Sequence, residues 1–350
     1  MSTRLKQNRR LLILVALGAI LLLCMFVAVS IGAVPISMLS IIKMTLNKMG
    51  LSHFSPTWPP SAETILFQIR LPRVIASALV GAALASAGVL FQGMLRNPMA
   101  DPYIIGTSAG AAFGATIAMM LPISIVFLSF GLVPIAAFFG ALGAVLLVYN
   151  LARVGGKTPI VSMLLAGFAI SAMLTAVIFF MVALSGTPGL LENVFSFLMG
   201  SISVTGWGQI IIIAPLIIGG IVAARFLASR LNALSLGEEG AAYLGINVER
   251  EKLLVLSLGS LLTAAAVSMS GLVGFVGLVV PHAVRLVLGA DHRLLLPASA
   301  LSGAAFIVLA DLLARTLLAP REIPLGVITA IIGAPFFIYL LRRHRREYAF

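Results

Sequence analysis

The sequence predicts an all-α polytopic membrane protein of about ten transmembrane helices with both termini cytoplasmic. Three observations carry this. Of the 350 residues, 61% are hydrophobic and only 10% are charged, with mean hydropathy +1.14. A soluble domain is roughly 45–50% apolar and about 25% charged, so lipid must solvate much of this surface. Apolar stretches of membrane length also recur along the chain. Crossing about 30 Å of hydrocarbon takes roughly 20 helical residues. Stretches of that order fall at 11–32, 70–92, 102–120, 126–152, 159–184, 207–229, 253–270, 273–289, 294–318 and 324–341. Finally, the basic residues between them are unevenly shared. With the N-terminus inside, 17 of the 23 Lys and Arg face the cytoplasm, including Arg9, Arg10, Arg96, Arg225, Arg293, Arg345 and Arg346. Lys43, Lys48, Arg70, Arg73, Arg315 and Arg321 fall outside. Cytoplasmic loops hold the positive excess. The net charge of +12 therefore reports orientation, not nucleic-acid binding, which needs a basic stripe on a polar face.

The first span opens with Arg9-Arg10 and runs through Leu11–Leu23 to Cys24, which superficially matches a lipoprotein signal. Leu21 and Leu23 are too large for the cleavage site, so the span reads as an ordinary transmembrane helix. Cys24 is the single cysteine, which excludes a disulfide framework and a Cys-based metal site. Residues 33–62, with Pro56, Trp58, Pro59 and Pro60, read as an external loop with an interfacial tryptophan. The second span opens on Arg70-Leu71-Pro72-Arg73. Positive charge there suits an acidic docking partner or an anionic substrate, or else snorkels at the interface.

On the third span, Gly106, Gly110 and Gly114 repeat every four residues, a spacing that lets helix backbones approach closely. After the fourth span, Gly155-Gly156-Lys157-Thr158 looks like the end of a phosphate-binding loop. That motif needs a preceding strand and a glycine where Leu151 stands. The tetrapeptide reads as a basic cytoplasmic turn, and the chain carries no ATP site of its own. Pro188-Gly189 and Leu190–Leu198 predict a short interfacial helix after the fifth span. Residues 230–252 are the longest inner polar stretch and predict a short cytosolic helix, with Glu238 and Glu239 in its first turn and Gly245 near its end. The stretch 273–289 is short and holds Pro281, which predicts a kinked or partly embedded helix. Asp311 and Arg315 stand four apart on the ninth span and face each other as a pair. A charge at the bilayer centre costs about 2.5–3.5 kcal/mol on insertion scales, so they belong near the outer end. His53, His282, His292 and His344 are scattered, and no convergent catalytic or metal cluster stands out.

Several longer motifs carry a resemblance. They are Leu71-Pro72-Arg73, Gly81-Ala82-Ala83-Leu84-Ala85, Gln92, Arg96-Asn97-Pro98-Met99-Ala100-Asp101-Pro102 and Gly106. Further along stand Leu236-Gly237-Glu238-Glu239, Leu244-Gly245, Gly274-Phe275-Val276-Gly277-Leu278, Pro281-His282 and Asp291-His292-Arg293. Ala310-Asp311, Ile323-Pro324-Leu325-Gly326 and Gly333-Ala334-Pro335-Phe336 complete the set. In this order, over about residues 65–341, they resemble the FecCD family, the permease subunits of type II ABC importers for iron-siderophores, haem and vitamin B12.

The resemblance implies a BtuC-like permease fold in one transmembrane domain over 1–350. It implies a homodimer with two ATP-binding-cassette ATPases below and an extracytoplasmic binding protein above, in the cytoplasmic membrane of a prokaryote. The ATPase would bind ATP and Mg; this chain would need no cofactor. Residues of the segment at about 230–250, namely Leu236, Gly237, Glu238, Glu239, Leu244 and Gly245, match the ATPase-coupling helix. Arg70, Arg73 and Arg315, with Arg321 as an extra contact, match outer arginines that pair with glutamates on the binding protein. Asn97, Pro98 and Met99, with Ile160 and Val161, match the cytoplasmic gate. Where some relatives place hydroxyl residues at the fifth-helix gate, this chain has apolar ones, which can close a path by excluding water. The implied mechanism is alternating access. Ferric siderophore is the first expected cargo, with haem and cobalamin as alternatives. An ion-coupled transporter would instead require buried acidic residues at midplane, a membrane enzyme clustered His, Asp or Glu, and a channel a selectivity loop.

Overall fold

The computed structural model describes residues 3–32, 34–123 and 125–343. His344, Arg345 and Arg346 lie outside the described residues. Helix α1 runs Thr3–Ser30, α2 Met38–Lys48 and α3 Pro60–Thr64, which passes through a π-helical turn, Ile65–Arg70, into α4 Leu71–Met94. A 3-10 turn, Pro102–Ile105, leads into α5 Thr107–Met120. Then come α6 Leu132–Ala152, α7 Ile160–Leu184, α8 Leu190–Met199 and α9 Trp207–Leu234. The chain ends with α10 Glu238–Tyr243, α11 Val248–Ser270, α12 Val276–Leu288, α13 His292–Thr316 and α14 Leu325–Arg343.

Among the described residues, seven helical segments are long and apolar enough to cross a membrane: those ending in α1 and α4, and α6, α7, α9, α11 and α13. The predicted spans at 102–120, 273–289 and 324–341 form the shorter α5, α12 and α14. The physical reasons are local. Asp101 caps the 3-10 turn, accepting from Tyr103 N, and Gly106 at φ +86° then redirects the chain, so α5 keeps only 14 residues. That is about 21 Å of helix, short of the hydrocarbon thickness. Pro281 lies inside α12, and Phe275 in the left-handed region starts it late.

Two other expectations shift. Residues 33–62 are not plain loop. Ser37 caps α2, whose Ile41 and Met44 bury into a second core with Ala28, Trp58, Leu66, Val74 and Val308. Trp58 is buried there, its indole N–H donating to Glu63 (2.8 Å). The start of the fourth predicted span, at 126–131, instead folds as paired strands β1 Val126–Phe127 and β2 Phe130–Gly131. The short helix expected at Leu190–Leu198 is present as α8.

The bundle is built around α4, which packs on α13, α11, α12 and α9. Close crossings make this possible. A Cβ on Gly81 would lie 2.1 Å from the Gly303 carbonyl, and one on Gly88 1.9 Å from that of Gly277. The glycine repeat does the same for α5 against α6, where Gly110 meets Gly140 and Gly114 meets Ala136. Gly106 serves as the turn instead. In the segment ending in α4, 78% of the most apolar window is buried, whereas α1 and α7 bury 17% and 22% of theirs. Those outer helices are apolar all round, as membrane-spanning helices are.

Candidate functional site

Polar side chains gather at two opposite ends of the bundle, joined by α4 and α13, which run antiparallel. Arg73 at the start of α4 meets Asp311 near the end of α13, while Gly93 at the end of α4 lies against His292 at the start of α13.

At the first end Arg73 bridges two carboxylates. Its Nε and Nη2 donate to Asp311 at 2.9–3.2 Å, and its Nη1 and Nη2 donate to Glu322 at 2.8 Å. Arg315 pairs with Asp311 at 3.7 Å, as their spacing predicts. The hydrogen bonds from Arg73 hold the Glu322 carboxyl below its ordinary range, against partial burial. Arg70 is buried and donates to the carbonyls of Val29 (3.1 Å), Ser30 (3.3 Å) and Val34; Arg315 donates to that of Ala28. These carbonyls include the last ones of α1, which lack helical partners and carry the negative end of the helix dipole. Of the four arginines expected at the outer rim, Arg70 and Arg315 thus engage the end of α1. Arg73 sits in a half-buried ion network, and Arg321 is exposed in the loop beside Glu322.

At the other end α10 stands between α9 and α11. Gly237 at φ +105° and Gly245 at φ +78° bracket it, and Ala241 is its buried anchor. Leu236, Tyr243 and Leu244 are 71%, 91% and 63% exposed, and Glu239 is exposed beside them. Glu238 faces inward to Lys252 (2.8 Å). Lys252 is almost fully buried and also reaches Glu249 (3.2 Å) and the Thr158 carbonyl (3.1 Å). Glu249 in turn accepts from the Thr158 amide (2.9 Å) and hydroxyl. Gly155 and Gly156 form the tight turn between the bridged Val154 and Lys157. One ammonium therefore ties α10 and α11 to the residues just ahead of Ile160 and Val161. Sequence reading missed Lys252, Glu249 and Thr158; the Glu249–Lys252 spacing on one helix face was the available signal.

The remaining gate residues divide. Asn97 closes its own turn, accepting from Met99 N (2.9 Å). Pro98 and Met99 line a narrow cleft with Leu278, Val279, His282 and Phe336. That cleft includes neither Ile160, which packs on the main core, nor Val161, which is 67% exposed. Gln92 fastens α4 to α12, donating to the carbonyls of Gly277 (3.3 Å) and Leu278 (3.2 Å) and accepting from Arg285 (3.1 Å).

Residues 20–343 match the model of the FecCD transport family. The chain belongs to the FecCD transport family. It is 48% identical over 284 residues to the cobalamin import system permease protein BtuC of Halobacterium salinarum, covering 81% of this chain and 75% of that protein. It is 36% identical over 347 residues to the Fe(3+)-citrate import system permease protein YfmE of Bacillus subtilis, covering 99% of both. A solved inward-facing structure of a metal-chelate type ABC transporter superposes with TM-score 0.82 at 32% identity, covering 95% of this chain and 99% of that one. FecCD membership and the seven apolar helical segments make this a multi-pass membrane permease.

Proposed function

We propose that this chain is the permease subunit of an ATP-driven importer for a metal chelate, acting by alternating access in the cytoplasmic membrane of a prokaryote. It works as a homodimer with two separate ATP-binding-cassette ATPases, which bind ATP and Mg, and with an extracytoplasmic binding protein. The family match over residues 20–343 carries the reading. The protruding α10 supports it: Leu236, Tyr243 and Leu244 leave apolar surface in the aqueous phase, which suits the groove of a partner. Gly237, Glu238, Glu239 and Gly245 shape and charge that docking element.

At the outer end Arg321 and the Arg73–Glu322 pair face the binding protein, with Arg70 and Arg315 holding the rim in place. Rim charges contribute about 0.2–1 kcal/mol per pair when exposed, and act mainly on orientation and encounter rate. Asn97, Pro98 and Met99, with Ile160 and Val161, form the cytoplasmic gate. Ferric siderophore is the first cargo to test, followed by haem and cobalamin. The full-length likeness to a ferric-citrate permease and the 48% likeness to a cobalamin permease both fall in this chelate class.

The test is uptake by proteoliposomes holding the permease and its ATPase, with each radiolabelled chelate on its binding protein. Uptake that needs ATP and loaded binding protein, and survives ionophores, supports the proposal. Uptake that follows an ion gradient without ATP overturns it.

A further inference from the structure

A cleft of about 980 Å³ opens between α1, α9 and α13 at the end of the bundle away from Arg73. Each helix contributes one face to it. Gln7, Arg10, Leu11 and Leu14 recur at helical spacing on α1, and Ile221, Val222, Arg225 and Ser229 do so on α9. Arg293 and Leu296 stand on α13. The three arginines all belong to the side that the basic-residue bias assigns to the cytoplasm. Arg10 pairs with Asp291 at 2.6 Å, and Arg293 Nε donates to Ser229 Oγ at 3.2 Å. Arg225 has no hydrogen-bond or ion-pair partner among the described residues. The arginines form a rim, and the wall continues along α1 and α9 as apolar side chains, with Leu11 63% and Val222 51% exposed.

We infer that this cleft is a binding site for an acidic phospholipid of the cytoplasmic leaflet. Its phosphodiester meets Arg225 and Arg293, and an acyl chain lies against Leu14 and Ile221. Three features favour a lipid. The cleft lies between three helices of membrane-spanning length. Its charge and apolar wall follow the order of a lipid, headgroup first. Basic pockets between transmembrane helices on the cytoplasmic side suit anionic headgroups. A second copy of the chain fits poorly, because a two-fold contact here would press this basic patch against its own copy.

Native mass spectrometry of the detergent-solubilised full chain tests this, using phosphatidylglycerol, phosphatidylcholine of the same acyl chains, and inorganic phosphate. Phosphatidylglycerol adducts are expected to survive where phosphatidylcholine adducts do not. The double variant Arg225→Gln/Arg293→Gln is expected to weaken phosphatidylglycerol retention roughly thirtyfold, and Leu14→Trp to weaken it by filling the wall. Arg153→Gln, outside the cleft, leaves retention unchanged. Equal retention of both lipids overturns the proposal. So does displacement of phosphatidylglycerol by an equal concentration of inorganic phosphate, or a double variant that alters only the dimer. The comparison of the two lipids on the unmodified protein decides the matter if a variant fails to fold.

Discussion

Asp311 is a carboxylate only 2% exposed, and its neighbours set what it costs. Arg73→Gln removes its closest cation and leaves Arg315 at 3.7 Å. A loss of about 3 kcal/mol is expected, the range for breaking a buried pair, read as a fall in thermal unfolding temperature in detergent. Adding Asp311→Asn to the same variant should restore part of it, because the uncompensated charge is gone. Glu322 gives the pH test. Its folded pKa lies below the ordinary value, so its stabilisation is present at neutral pH and is lost as pH falls through that depressed value. The unfolding temperatures of the wild type and Glu322→Gln should therefore differ at pH 7 and converge on acidification. Lys252 links three elements, but its partner Glu238 is 40% exposed. Lys252→Met should then cost about 1–2 kcal/mol and raise hydrogen exchange at residues 238–243, with α4 and α13 unchanged.

Among the elements, α10 was the most legible. Its glutamates and the glycines that bracket it mark both of its ends, and the structure starts the helix at Glu238. Its exposed apolar side chains were not legible, because a six-residue helix has too few turns to show a face. Tyr243→Ala is expected to weaken ATPase association at least tenfold, as truncating a central interface aromatic does; titration of the ATPase against purified permease measures it. The glycine crossings make a sharper pair. Gly81→Val places side-chain atoms where 2.1 Å separates even a Cβ from the Gly303 carbonyl, and should abolish recovery of folded protein. Gly143→Val meets nothing within 4 Å of its Cβ and should fold normally. In the segment 33–62, prolines and serines mask the Ile41 and Met44 face of α2, which becomes meaningful only against Trp58 and, from distant sequence, Val308.

At the scale of the whole molecule, hydropathy located every long helix, because a helix in lipid must be apolar along its length whatever it packs against. It did not separate the central α4 and α13 from the peripheral α1 and α7. That division lies in small residues such as Gly81, Gly88 and Gly303, which matter only as pairs. The arginines at 70 and 315 show the same limit: the sequence marks them as a candidate docking set with Arg73 and Arg321, but the engagement of Arg70 and Arg315 with the end of α1 depends on tertiary contacts. Under the proposed function, the assembled bundle couples a loaded binding protein at one end to an ATPase at the other. The most direct test is ATP turnover by the permease purified with its ATPase in lipid, with the binding protein empty and then loaded with ferric siderophore, haem or cobalamin. The account predicts that one loaded form raises turnover and that Arg321→Glu reduces the rise. Turnover indifferent to every loaded form, or a permease that associates with no ATPase, would contradict it.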